Sequence, residues 1–391
     1  MTLKIGSGGI VPPFLVMDVI ARANAMAARL APDDPRVIRM EVGQPGTGAP
    51  AGVREAVARA MRSGDDPLGY TEAFGREDLR ARIAAHYAGW YGLDVPPARI
   101  AVTMGASAAF PLAFLSAFNP GDRIALATPC YPPYVNIMTA LGLRPVILEA
   151  TVETGFQPDI AMLEALDPAP DGLLIASPAN PTGSMLAPGA LAALARYCHA
   201  RGIRLISDEI YHGLTYGKEI ATAASFSPSA IVINSFSKYF SMTGWRIGWM
   251  ILPEDLRRAA ECIAQNFFIS APHVSQVAAF AAFDCHEELR ANRRRYEASR
   301  LALLDALPRA GFTSLSPADG AFYIYADVSH RGQDSTDFCA DLLERAHIAA
   351  TPGHDFDTAR GGGFVRFSYC ASEADIAEAA NRLLAFRQYA G

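Results

Sequence analysis

The stretch IVINSFSKYFSMTGWRIGWMI, residues 231–251, decides the fold because it holds two apolar strands with a charged turn between them. The first strand ends at Ser235. Ser237 and Lys238 follow, and Arg246 stands eight positions after the lysine. Two hydroxyls and a guanidinium beside one lysine are suited to bind an anion next to a nucleophilic amine. The alternative interpretation is an ordinary surface lysine and arginine in a serine-rich turn.

Upstream of this stretch, short apolar runs alternate with helical patterns from about residue 100 onward. Several runs are apolar on both faces, which is typical of strands in a sheet covered by helices on both sides. The alternation therefore predicts an α/β domain with a mostly parallel sheet. The predicted strands are Ile100–Thr103, Arg123–Ala127, Arg144–Leu148, Gly172–Ser177, Arg204–Ser207, Ile231–Ser235 and Gly248–Ile251.

The pattern changes after about Pro253, where long helical stretches dominate as far as Leu307. Two short strands and two further helices follow them, which predicts a smaller α+β region. These elements are the strands Ala321–Val328 and Phe364–Tyr369 and the helices Ser335–Ala346 and Glu373–Tyr389. Near the N-terminus, three further helices are predicted, over Met17–Leu30, Val53–Met61 and Arg76–Trp90.

Composition excludes several classes of function for this chain of 391 residues. The formal net charge is −6 and no polybasic stretch is present, which argues against a nucleic-acid or anionic membrane partner. No apolar run approaches the roughly 20 residues that span a bilayer, and no signal-peptide pattern is found. The six cysteines have no metal-ligand spacing. We expect no metal site, reduced thiols and a cytoplasmic location.

Polar residues also follow two other predicted strands, at the edge where ligands bind in open α/β sheets. Asp208 ends one strand and could pair with a positively charged ring nitrogen, while Tyr211 stands three residues later. Asn180 lies in a proline-flanked turn after another strand and could bind a ligand hydroxyl. Solvated acids and ordinary turn residues are the alternative interpretation of each motif taken alone.

Two motifs near the start of the α/β region complete the candidate site. Ala106 and Ser107 join a strand to an apolar helix, where small residues leave backbone N–H groups open to a phosphate. Tyr131, in PCYPPY (129–134), could stack on a planar ring. The alternative interpretation of the first motif is that its small residues only let the helix pack closely on the strand. For the second, it is that the tyrosine merely packs in its loop.

Taken together, the motifs resemble the class I/II aminotransferases, which are fold-type I enzymes dependent on pyridoxal 5′-phosphate (PLP). The order of GAS (105–107), PCYPPY (129–134), NPTG (180–183), DEIY (208–211), SFSK (235–238) and the late Arg366 matches that family over nearly the whole chain. Each motif is weak alone, whereas six in the right order are specific. The resemblance implies a PLP-dependent enzyme that moves amino groups between amino acids and 2-oxo acids.

The resemblance also assigns roles to the cofactor-binding residues. Lys238 would hold the cofactor and act as general acid and base, and Asp208 would pair with the pyridinium nitrogen. Asn180 and Tyr211 would bind the ring oxygen, and Tyr131 would stack on the ring. The phosphate would be held by Ala106, Ser107, Ser235, Ser237 and Arg246, with Tyr70 reaching it from the neighbouring subunit of a homodimer. Arg246 is further expected to favour the neutral form of the lysine.

On the substrate side, the resemblance places Arg366 on the α-carboxylate and Gly43 over the substrate, beside Asn180. Members specific for aspartate add a second cation, which is missing here near Ser107 and between residues 261 and 273. We therefore expect a neutral, hydrophobic or aromatic amino donor. The sequence also departs from the family at PGT (45–47), where Pro-Asp-Phe is frequent.

The resemblance further implies a seven-stranded, mostly parallel sheet in a large domain of residues 46–285. A smaller, discontinuous α+β domain would combine residues 1–45 and 286–391. Asn180–Pro181 is expected to be a cis peptide that aims Asn180 inward. The alternatives are a carbon–sulfur β-lyase or related lyase on the same fold, a non-catalytic regulator, and a generic anion-binding module.

Overall fold

A computed structural model describes residues 3–64 and 67–386. Its central element is a seven-stranded sheet, as the sequence predicts. The strands of the described residues are β1 (Ile38–Arg39), β2 (Ile100–Thr103), β3 (Arg123–Thr128), β4 (Arg144–Glu149), β5 (Gly172–Ala176), β6 (Arg204–Asp208), β7 (Ile231–Ser235), β8 (Gly248–Ile251), β9 (Tyr323–Asp327), β10 (Ile348–Ala349), β11 (Thr351–Pro352) and β12 (Phe364–Ser368).

The helices lie on both faces of the sheet and in the C-terminal region. They are α1 (Leu15–Ala27), α2 (Ala51–Ser63), α3 (Glu77–Tyr91), α4 (Ala106–Ala117), α5 (Pro133–Ala140), α6 (Ile160–Glu164), α7 (Pro188–Arg201), α8 (Arg257–Phe267), α9 (His273–Ala282), α10 (His286–Arg309), α11 (Ser335–Ala346) and α12 (Glu373–Phe386). The last residues of the helix predicted over Glu373–Tyr389 lie outside the described residues.

The large sheet has the order β2-β8-β7-β6-β5-β3-β4. In this order, the strands β7, β6, β5, β3 and β4 each pair in parallel with the next one. Strand β8 is antiparallel to both of its neighbours, β2 and β7. Every residue of β2, β7 and β8 is buried. This confirms the mostly parallel α/β sheet, and it brings the carboxyl ends of β5, β6 and β7 to one edge.

The C-terminal region forms a second, antiparallel sheet in the order β11-β12-β9. The N-terminal strand β1 pairs in parallel with β10, with Ile38 opposite Ile348. The Ser368 N–H also donates to the Met40 carbonyl at 2.8 Å. The N-terminal segment thus joins the C-terminal region, while the exact domain limits of 46–285 stay a prediction.

Candidate active site

A cavity of about 320 Å³ opens beyond the carboxyl ends of the parallel strands. It collects nearly every residue that the sequence singled out, even though these residues come from distant parts of the chain. The predicted residues that line it are Gly43, Ala106, Ser107, Tyr131, Asn180, Asp208, Tyr211, Ser235, Ser237, Lys238, Arg246 and Arg366. Tyr70 lies outside the cavity.

Lys238 projects into this cavity from the turn after β7. Its Nζ donates to the Gly43 carbonyl at 2.6 Å and lies 5.7 Å from the centre of the Tyr211 ring. The pKa of Lys238 is lowered to about 8, chiefly by burial and to a smaller extent by the charges of Arg366 and Arg246. Burial is the largest cause, and Arg246 contributes in the expected direction, so that the neutral form of the lysine is accessible near physiological pH.

Asp208 ends β6 at the floor of the cavity and is 2% exposed. One carboxylate oxygen accepts from the Tyr134 hydroxyl, and the other accepts from the Ile210 N–H at 3.1 Å. Burial raises the pKa of Asp208 to about 6, against the lowering effect of these hydrogen bonds. Tyr134 stands in the PCYPPY motif, yet no sequence feature favours it over Tyr131 as a partner of the acid.

The opposite end of the cavity is suited to an anion. Helix α4 begins there, and its N-terminal N–H groups carry the positive end of the helix dipole. The Arg246 guanidinium donates to the Ser107 hydroxyl at 3.4 Å. The Ser235 hydroxyl accepts from the Ser237 N–H at 3.0 Å, which fixes the turn before Lys238.

Gly105 explains how the arginine can approach this helix start. Its φ is +71°, in the region that favours glycine, and a Cβ there would stand 2.7 Å from Nη2 of Arg246. A larger residue would displace the guanidinium from the anion-binding end.

Arg366 occupies the wall formed by β12 and is 3% exposed. Its guanidinium donates to the Asn180 side-chain oxygen at 2.9 Å, the Thr351 hydroxyl at 3.1 Å and the Glu41 carbonyl at 2.5 Å. It also lies 4.5 Å from the centre of the Tyr323 ring. These contacts hold the guanidinium in one orientation while it still faces the cavity. The predicted cis peptide Asn180–Pro181, which carries one of these partners, is confirmed.

Tyr323 is a site residue that sequence reasoning missed. Its hydroxyl is 2.9 Å from the Tyr211 hydroxyl. A Cβ on Gly43 would stand 2.2 Å from the same oxygen, so only glycine fits there. Tyr323 lies within the strand predicted over Ala321–Val328, and no local signal distinguishes it from the other buried aromatic residues of that strand.

One wall of the cavity is apolar and comes from helix α1, the residue before it, and helix α5. It consists of Phe14, Val16, Met17, Ile20 and Ile137. Among the described residues that line the cavity, the lysines and arginines are Lys238, Arg246 and Arg366 alone. The sequence predicts a helix at α1, but its placement over the site carries no local signal.

Tyr70 is 84% exposed, on the surface outside the cavity. Phe267, the last residue of α8, and Ile269, just after the helix, lie in the segment where aspartate-specific members place an arginine, and both are exposed. The predicted role of Tyr70 in a neighbouring subunit stays a prediction.

Residues 3–64 and 67–386 contain neither a candidate membrane-spanning helix nor a candidate metal site. No helix in these ranges combines the length and apolar character that crossing a membrane requires. No group of three or more histidine, cysteine, aspartate or glutamate side chains in them is placed to hold a metal ion.

The fold and the cavity define an aminotransferase of fold type I, and comparison with known proteins agrees. The sequence model of the family "Aminotransferase class I and II" matches residues 35–383, so the chain belongs to this family. It is 46% identical over 387 residues to the valine–pyruvate aminotransferase of Mycobacterium tuberculosis, with 98% of each chain covered. A crystal structure of an aminotransferase from that organism has a TM-score of 0.96 at 45% identity, covering 99% of this chain and 100% of the other.

A more distant relative acts on a different compound. The (5-formylfuran-3-yl)methyl phosphate transaminase of Methanocaldococcus jannaschii is 32% identical over 378 residues, covering 95% of this chain and 96% of its own. Relatives at about this level of sequence identity thus share amino-group transfer but differ in substrate. The substrate of this chain is therefore inferred from its own cavity.

Proposed function

We propose that the chain is a PLP-dependent aminotransferase that takes a neutral L-amino acid with an apolar side chain and passes its amino group to a 2-oxo acid. The observation that carries the proposal is the cavity, in which Lys238 lies with a buried acid, an anion-binding end and an apolar wall around it. The domain limits, the site roles and the cytoplasmic location expected from the sequence belong to the same proposal.

The residues present fit PLP in charge and in shape. Asp208 is a buried acid without a cationic side chain hydrogen-bonded to it among the described residues, so a protonated ring nitrogen would supply its partner. At the other end, Ser107, Ser235 and Arg246 offer the donors that a phosphate requires. Gly105 leaves the space that a Cβ would fill.

When bound, PLP supplies a reactive aldehyde and an electron-withdrawing ring that makes the Cα–H bond of an attached amino acid acidic. The protein residues supply the rest. Nζ of Lys238 can be neutral near physiological pH, which is the form that acts as a nucleophile or accepts the Cα proton. Asp208 would keep the ring nitrogen protonated, while Asn180 and Tyr211 would bind the ring oxygen and Tyr131 the ring face.

Recognition of the substrate is assigned to Arg366 and the apolar wall. A guanidinium fixed by three hydrogen bonds suits a bidentate contact with an α-carboxylate. Phe14, Val16 and Met17 would contact the side chain, and they give no partner to a second carboxylate. The activity in the name of the valine–pyruvate relative is consistent with such a donor.

The cofactor assignment can be tested through the lysines, because the chain has only Lys4, Lys218 and Lys238. Borohydride treatment of the PLP-loaded protein, followed by peptide mass spectrometry, should find the reduced cofactor on Lys238. Lys238→Ala should lose the label and the activity, whereas Lys218→Ala, at an exposed position, should keep both. Labelling of Lys4 or Lys218 instead would contradict the assignment.

The reaction is tested by a panel of amino acids, each added alone to the PLP-loaded protein. We expect valine, leucine, methionine and phenylalanine to convert the bound cofactor to its pyridoxamine form, and a 2-oxo acid to restore it. Faster conversion by aspartate than by these donors would contradict the apolar preference. Release of ammonia and pyruvate from cystathionine, without the pyridoxamine form, would favour the lyase alternative.

A further inference from the structure

The two halves of helix α1 are held in different ways. Toward the C-terminal end, Ala23 and Met26 pack in a buried cluster with Val37, Leu343 and Ala349. The N-terminal half, which forms the apolar wall, buries Val16 but leaves Met17 57% exposed. Apolar packing therefore anchors the far end of the helix, and the end over the cavity depends on other contacts.

Asp355, in the loop between β11 and β12, makes those contacts. The Leu15 N–H donates to its Oδ1 at 2.8 Å and the Val16 N–H donates to its Oδ2 at 3.2 Å. Phe14, the residue before the helix, gives no side-chain cap. Since the first N–H groups of a helix lack partners within it and carry its positive dipole end, a carboxylate there stabilises this end.

The loop that carries Asp355 is itself fixed beside the site. Gly353 packs so closely on Gly361 that a Cβ would stand 2.4 Å from the Gly361 carbonyl oxygen. The Phe356 ring lies 4.8 Å from the Arg366 guanidinium, and its carbonyl accepts from the Cys130 N–H at 3.0 Å. Through Phe356, the loop that carries Asp355 thus contacts both Arg366 and the segment before Tyr131.

We propose that Asp355 is a positioning residue that holds the N-terminal half of α1 against the cavity, and that it thereby sets the preference for donors with side chains longer than a methyl group. This inference rests on the proposed function, because it assigns the apolar wall to the substrate side chain. A long apolar side chain gains from contact with that wall, whereas the methyl group of alanine gains little. Loss of the contact should therefore affect long donors selectively.

The first test uses Asp355→Asn in the PLP-loaded protein. The amide nitrogen cannot accept a hydrogen bond, so one of the two contacts is lost together with the charge. Hydrogen–deuterium exchange of α1 should become faster, while that of α2 stays as in the wild type. The ratio of kcat/KM for methionine to that for alanine should fall roughly tenfold. This is the effect expected if the methionine side chain loses about half of the apolar area that it buries against the wall.

A second variant removes a donor without touching the acid. Leu15 is the first residue of α1, where proline is well tolerated and no N–H is needed within the helix. Leu15→Pro should reproduce part of both effects, and Leu15→Ala controls for the lost side chain. If Asp355→Asn fails to fold, Leu15→Pro still tests the proposal.

Asp357→Asn is the matched control for damage to the loop. Asp357 is buried two residues later, and accepts from the Ala359 and Arg360 N–H groups rather than from α1. It should leave the exchange of α1 and the methionine-to-alanine ratio unchanged. An equal effect of this variant would overturn the proposal.

Two further outcomes would also overturn it. One is that hydrogen–deuterium exchange of α1 is unchanged in both Asp355→Asn and Leu15→Pro. The other is that this exchange becomes faster while the methionine-to-alanine ratio of kcat/KM stays unchanged. If the wild-type protein converts no amino acid, the proposed function fails, whereas the exchange measurements still show whether Asp355 holds the helix.

Discussion

Lys238 shows at the level of one residue how function costs stability. Burial lowers its pKa from the ordinary lysine value to about 8, which corresponds to a cost on the order of 3 kcal/mol for the charged form. Below pH 8 the folded, cofactor-free protein has to carry a buried ammonium, and this cost is fully present. It is lost between pH 8 and about 10.5, where the unfolded lysine also becomes neutral.

Lys238→Met should therefore stabilise the cofactor-free protein, most strongly below pH 8 and hardly at all near pH 10.5. Urea unfolding at pH 7 and pH 10 measures the difference. Lys218→Met, at an exposed position, is the control and should show no such dependence on pH. Equal stabilisation at both pH values would show that the methionine acts through packing instead.

Tyr134→Phe tests the residue that holds Asp208. The lost hydrogen bond lowers the pKa of the acid in the wild type, so its removal raises that pKa above about 6. The carboxylate is then partly protonated at pH 7, and PLP should bind roughly tenfold more weakly there, with recovery toward pH 9. Fluorescence titration with PLP from pH 6 to pH 9 measures this. Tyr325→Phe, at a buried tyrosine outside the cavity, is the control.

At the scale of elements, the joint between β2 and α4 depends on one glycine. Gly105→Ala would place a Cβ 2.7 Å from Nη2 of Arg246, at a φ of +71°. We expect PLP affinity to fall by about tenfold or more, since the guanidinium must move from the anion-binding end. Gly89→Ala, on the exposed side of α3 with open space around it, should instead leave PLP binding unchanged and stabilise the protein by about 0.5–1 kcal/mol. Isothermal titration with PLP and thermal unfolding distinguish the two. Unchanged affinity in Gly105→Ala would contradict this account of the joint.

The same scale shows what could be predicted from the sequence. Strands β2, β7 and β8 and helix α11 lie at the predicted residues, because local patterns and turn residues bound them. The sequence predicts Asp208 and Asn180 at one site because the carboxyl ends of parallel strands share one edge. The contact between Leu15 and Asp355 spans 340 positions, and no local pattern records it. Tertiary packing alone brings α1 over the site.

At the scale of the whole molecule, the cavity is assembled from three parts of the chain. Gly43 comes from the N-terminal segment, Lys238 from the α/β region and Arg366 from the C-terminal sheet. The pairing of β1 with β10 ties the first of these parts to the last. Tyr70, predicted to reach the site of a neighbouring subunit, is 84% exposed and lies outside the cavity of its own chain. A second copy of the chain would give this side chain a site to reach.

Hybrid dimers test whether Tyr70 serves the neighbouring subunit. If it does, a dimer of one Lys238→Ala subunit and one Tyr70→Ala subunit has one site with both defects and one with neither. Differently tagged subunits, coexpressed and purified through both tags, should then give roughly half of the wild-type activity per dimer, although each parent is nearly inactive. A hybrid of Lys238→Ala with Asp208→Ala is the control, because both residues line the cavity of one chain and no intact site forms. A hybrid no more active than the mean of its parents, or a fully active Tyr70→Ala parent, would show that each subunit completes its own site.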